Sequence, residues 1–302
     1  RAELARPHYN KQWGLLPGDP GYAWSRAEQH AQLRGITLEQ VRAFYLRHWS
    51  ANDLAVTVVG DVPEGLQQAL EQLLGDWKKP ETPAYQRHTN PYKPVLPARF
   101  DAQAGDKANA VARLRQELRL SSRDEDFVPL SLANHVLGGS GIDSLLSKRV
   151  RQQEGLSYGI GSDLNADHWD DAGSWSISAN FAPENRERLL AAVHDEIRRL
   201  LERGISAEEL DSARNAQLQG RRQSRSQDGL LAGALLNQFD TAEDWREHER
   251  GDQRRREATL EQVNAALRRH LRPDAWVVST GGDFAANPPL PVMPTSAATR
   301  VP

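Results

Sequence analysis

The most regular pattern in the chain runs from Ser174 to Phe181, where apolar Trp175, Ile177, Ala179 and Phe181 alternate with Ser174, Ser176, Ser178 and Asn180. A period of two predicts a strand with one face on a core. Directly downstream the period becomes helical, with Leu189, Val193, Ile197 and Leu200 on one face of residues 187–201. A long helix is expected after that, opened by a capping box of Ser206 and Glu209. Upstream, residues 98–120 read as a strand region and residues 127–137 as an apolar helix. The turn Gly138, Gly139, Ser140, Gly141 follows, then a helix over residues 143–153 and two strands. Strands and helices in this order predict an α+β fold.

An internal duplication sets the larger organisation. Residues 37–61 (TLEQVRAFYLRHWSANDLAVTVVGD) align without a gap on residues 259–283 (TLEQVNAALRRHLRPDAWVVSTGGD), at an offset of 222 and with 11 of 25 positions identical. In each copy a threonine, Thr37 or Thr259, is the expected N-cap, with Gln40 or Gln262 three residues on. Each helix is expected to lead into a short strand, over residues 54–59 and 276–280, ending at a Gly-Asp turn. The second copy has a long preamble, whereas 36 residues precede the first, so the first unit is expected to be truncated. Residues 78–97 hold five prolines in 20 residues and predict a semi-rigid linker. The expected plan is therefore part of a unit over residues 1–77, the linker over 78–97, a complete unit over 98–284 and a tail over 285–302.

Composition narrows the chemistry. At 302 residues, 26% charged and net charge −3, the chain shows no overall attraction to nucleic acid or acidic membranes. No cysteine is present, which removes disulfides, thiolate nucleophiles and cysteine zinc sites. No run of 18 apolar residues suggests a membrane span. Among nine histidines none falls in a His-x-x-Glu-His or His-Glu-x-x-His pattern. His194 with Glu196, and His248 with Glu249, are expected on solvated helix surface. So are the arginines at 221, 222 and 225 and at 254–256. Trp169 and Trp175 are expected to pack in the core rather than to line a groove. The Gly138–Gly141 turn lacks the Lys-Ser/Thr of a phosphate loop.

The runs PLSLANHVLGGSG (residues 129–141) and LLSKRVRQQEGLSY (residues 145–158), with the two TLEQV copies, resemble the M16 (pitrilysin/insulinase-like) zinc metallopeptidases. The resemblance implies paired, homologous α+β units, each a mostly antiparallel sheet packed with helices, that enclose a chamber. In that family one unit carries the His-x-x-Glu-His motif and its partner is degenerate. Here Ser131, Asn134 and His135 stand at the first His, Glu and second His positions, so one ligand remains and no general base. The resemblance therefore implies no catalytic residue and no metal in this chain, with zinc in a partner catalytic unit, upstream or on another subunit. It implies that Arg151 and Tyr158 bind the backbone of a peptide or protein substrate, and that Gly138, Gly139, Ser140 and Gly141 form a candidate substrate loop. It favours a periplasmic over a cytoplasmic location. A non-enzymatic scaffold that kept the fold for assembly is the alternative.

Overall fold

The computed structural model describes residues 9–19, 21–49, 51, 54–77, 87–105 and 107–292. Along the chain come helices α1 (Arg26–Gly35), α2 (Leu38–His48) and α3 (Leu66–Leu74), then strands β1 (Ala98–Gln103) and β2 (Ala110–Leu118). Helix α4 (Phe127–Asn134), strands β3 (Gly159–Ala166) and β4 (Gly173–Phe181), and helix α5 (Arg186–Arg203) follow. The C-terminal part holds α6 (Ala207–Arg225), α7 (Asp228–Thr241), α8 (Trp245–Glu257), α9 (Leu260–His270) and β5 (Val277–Gly282). By contact, the described residues of Arg1–Ala23, Asn90–Asn215 and Arg255–Pro302 form one compact unit, and those of Trp24–Thr89 and Ala216–Arg254 a second. These contacts divide the chain differently from the linear boundaries at 77, 97 and 284, because residues 216–254 group with the early segment.

The first unit is built on a five-stranded sheet of order β1-β5-β2-β4-β3, parallel between β1 and β5 and antiparallel elsewhere. The expected α+β, mostly antiparallel architecture is the one observed. Alternation decides which side chains meet the core. Leu114, Trp175, Ile177 and Phe181 are fully buried, and Leu130, Leu189, Val193, Ile197 and Val263 from α4, α5 and α9 are buried with them. The other face carries Arg113, Arg115, Ser178, Asn180 and Ser279, in register across β2, β4 and β5. Residues 9–12 are helical, and the turn after them is tied to this sheet by Trp13 Nε1, which donates to Glu117 Oε1 at 2.9 Å. Asn10 closes the following loop with paired bonds to the backbone of Ala23, 3.0 and 2.8 Å long.

Several local expectations are corrected. The apolar helix is α-helical only to Asn134 and then widens into a π-turn, His135–Gly139, with Ser140 N–H bonded to His135 O at 2.9 Å. The next helix is a short 3₁₀ turn at Gly141–Asp143 followed by a π-helix at Ser147–Gln153. Trp175 is in the core as expected, but Trp169 is 40% exposed with the Arg123 guanidinium 5.7 Å from its ring. Glu196 is not surface: it is 7% exposed, and burial pushes its carboxyl above the usual range.

In the second unit the Thr37–Gln40 capping box forms, as its counterpart Thr259–Gln262 does in the first. The strand expected over residues 54–59 does not form. A strand needs a neighbour for its ladder bonds, and among the described residues none pairs with this segment, whereas β5 in the other copy lies between β1 and β2. Arg221 and Arg225 are not solvated either. They converge from α6 on buried Asp252 of α8, with Arg225 Nη2 at 2.6 Å, and Arg254 pairs with Glu247. Of the linker, residues 78–86 lie outside the described residues, and residues 87–97 have no regular structure.

Candidate functional site: the turn between Arg151 and Tyr158

Arg151 sits in the last turn of the π-helix Ser147–Gln153. The helix starts where Ser144 Oγ accepts from Ser147 N–H at 3.2 Å and donates to Gly141 O at 2.7 Å. It stops at Gly155, whose φ of +61° is the left-handed conformation that a side chain disfavours. Leu156 N–H then reaches back to Val150 O at 2.8 Å, closing the C-terminal turn. Two residues on, Tyr158 stands immediately before β3, its N–H donating to Asn180 O at 2.9 Å, while Ser157 Oγ donates to that same carbonyl. One rigid turn thus separates the guanidinium from the phenol.

Both side chains face solvent. Tyr158 is 62% exposed, so it does not pack into the core beside Ile160, and Arg151 is also exposed. Neither makes a hydrogen bond or ion pair among the described residues, in contrast to Arg149, which pairs with Glu154 at 2.7 Å and Asp195 at 3.4 Å. Two uncommitted donors can bond a carbonyl oxygen or an anion. Beside them, among the described residues β3 pairs only with β4 and so forms a sheet edge.

The glycine-rich segment serves two purposes. Gly138 is buried over β3, where a Cβ would come 2.4 Å from Ser162 Oγ and 2.5 Å from Ser162 N. Only glycine tolerates that approach. Gly139 and Gly141 are exposed and Ser140 is half-buried. The segment is linked to the Arg151 helix by Gln152 Nε2, which donates to Ile142 O at 2.8 Å.

The residues that the resemblance lays on the zinc motif, Ser131, Asn134 and His135, do not fit a metal. Ser131 Oγ donates to Val128 O in its own helix. Asn134 is committed to β3: its amide nitrogen donates to Ser162 O at 3.2 Å and its oxygen accepts from Ser162 Oγ at 2.7 Å. His135 is half-buried, and burial lowers its pKa, favouring the neutral ring. One imidazole falls short of the three protein ligands that a hydrolytic zinc requires. Among the described residues no group of three His, Cys, Asp or Glu side chains could hold an ion.

Asn134 and Ser162 staple the end of α4 to β3, and Tyr158 stands exposed at the start of that strand. Residues 35–217 match the peptidase M16 inactive domain, and the chain belongs to that family. A protein of Streptomyces coelicolor described as an uncharacterized zinc protease is 26% identical over 223 residues, covering 70% of this chain and 45% of that protein. The "Probable zinc protease PqqL" of Escherichia coli is 28% identical over 229 residues, 74% of this chain and 24% of its own length. The chain thus spans less than half the length of these relatives. Among solved structures, a peptidase M16 inactive domain from Pseudomonas fluorescens superposes with a TM-score of 0.77 at 24% identity, over 96% of this chain and 66% of that one. The periplasmic protease PqqL of Escherichia coli superposes with a TM-score of 0.66 at 20% identity, over 93% of this chain and 30% of that one.

The outer face of the sheet was not singled out from the sequence. Arg113, Arg115 and Glu117 do alternate with buried Ala112, Leu114 and Gln116 in β2, a signal of a two-sided strand. Which residues of other strands join them depends on pairings between segments 55 or more residues apart.

Proposed function

We propose that this chain is the non-catalytic, substrate-gripping part of an M16 zinc peptidase and works beside a unit that carries His-x-x-Glu-His. The observation that supports this most directly is the pair of uncommitted donors, Arg151 and Tyr158, held across one Gly155 turn at the start of an edge strand. An extended peptide can add to a sheet edge through main-chain bonds, which gives affinity with little demand on sequence. In this scheme the guanidinium and phenol bond a substrate carbonyl oxygen and hold it in place, and the strand holds the flanking backbone. The exposed Gly139 and Gly141 lie on the turn joined to the Arg151 helix and leave room for substrate backbone. Zinc belongs to the partner unit, and the likeness to the periplasmic protease PqqL supports a periplasmic location.

The test is kinetic, in the enzyme reconstituted with the motif-bearing unit. Arg151→Ala and Tyr158→Phe should each lower kcat/KM, on the order of 10²-fold for loss of a carbonyl donor, with zinc content unchanged. Unaltered kinetics in both variants would leave these residues no role in substrate binding and would favour an assembly scaffold.

A further inference from the structure

On the face of the sheet opposite the core lies a cavity of about 500 Å³, within the roughly 300–1,000 Å³ typical of small-ligand sites. Tyr9, Trp13 and Phe100 form its aromatic walls, and the first two rings stack with centroids 4.5 Å apart. Its floor is one transverse row of the sheet: strand register places Phe100, Ser279, Arg113 and Ser178 side by side across β1, β5, β2 and β4.

Charge is what makes this cavity selective. Arg115 already has a partner, because its Nε lies 2.5 Å from Glu117 Oε1. Arg113 lies two residues earlier on the same face, lines the cavity, and has no hydrogen bond or ion pair among the described residues. Among the described residues no aspartate or glutamate lines the space. An aromatic slot with one unanswered guanidinium, flanked by two serine hydroxyls, complements a ligand with an apolar body and a single carboxylate. A planar guanidinium binds carboxylate through two parallel bonds.

We infer that this cavity binds an apolar carboxylate of about phenylalanine size, with its body between Tyr9, Trp13 and Phe100 and its carboxylate on Arg113. The C-terminal residue of a peptide and a free aryl or alkyl acid share this chemistry. The inference does not depend on Arg151 or Tyr158. Calorimetric titration of the chain with N-acetyl-phenylalanine, its amide, 3-phenylpropionate, and a tetrapeptide ending in phenylalanine as acid and as amide tests it. The acids should bind about 10-fold or more tighter than their amides. Tighter binding of the peptide acid than of 3-phenylpropionate identifies a peptide end as the ligand, and the reverse order a free acid. Arg113→Gln should remove the preference for acids and Arg113→Lys should restore part of it. Ser178→Phe, which fills the slot and keeps the charge, should abolish binding. Equal binding of acids and amides, acid binding unchanged in Arg113→Gln, or no acid binding at millimolar concentration would overturn the assignment.

Discussion

At the residue scale, the polar groups around β3 differ in whether they are already engaged. Asn134, which the resemblance lays on the family's general base, has an amide that both donates to and accepts from Ser162 and so fastens α4 to β3. Arg149 is tied to two carboxylates, whereas Arg151, two positions on, is uncommitted. Gly138 belongs to the same staple, since the helix end can approach β3 only without a side chain. Gly138→Ala is therefore expected to lower stability by about 1–3 kcal/mol, the usual cost of overpacking, or more because Ser162 backbone is among the atoms met. Denaturant unfolding measures this, and a midpoint equal to that of the parent chain would contradict the close approach. In the sequence, Ser131 and Asn134 show only as departures from the motif that the resemblance implies. The serine that completes it lies 28 residues away on another element, which no local pattern reveals.

At the element scale, two helices identical at 7 of 11 positions behave differently. Both copies of TLEQV form the same capping box, because the cap needs only residues three apart. Beyond the cap they diverge. In α9, Val263, Ala266 and Leu267 are buried against the core, and His270 and Arg269 both reach Asp126 of the first unit, His270 Nε2 at 2.8 Å. In α2 the matching Val41, Phe44 and Tyr45 are 49–61% exposed. Helix α8 shows a different kind of tertiary dependence. Burial opposes the charge of Asp252, but bonds from Arg221 and Arg225 outweigh it and hold the carboxyl below its ordinary value. Removing one partner of a buried ion pair costs about 3–5 kcal/mol, so Asp252→Asn should destabilise the second unit on that order. The pH sign follows from the depressed folded value: the contribution is present above the ordinary aspartate pKa and is lost as pH falls through the folded one. The gap in melting temperature between parent and Asp252→Asn should thus shrink in acid. A gap constant from pH 7 down to pH 3 would show that the carboxylate is not what stabilises α6 against α8.

At the scale of the whole molecule, the fold carries its family's architecture while the motif positions hold no site for its metal. Zinc added to the purified chain and removed by gel filtration should leave no stoichiometric metal in elemental analysis. One retained zinc per chain would mean that residues other than Ser131, Asn134 and His135 assemble a site. What could be read from the amino acids depends on short range. The alternation of residues 174–181, the amphipathic helix of residues 187–201 and the capping boxes are all local properties of residue type and spacing. What only the three-dimensional structure decided were the matters of pairing. Residues 54–59 carry strand-like residues but found no neighbour, basic residues in α6 gained a buried aspartate, and five segments met in the order β1-β5-β2-β4-β3. The physical reason is that hydrogen-bond ladders, ion pairs and burial are relations between distant segments, and a single segment specifies its own shape without specifying its partner.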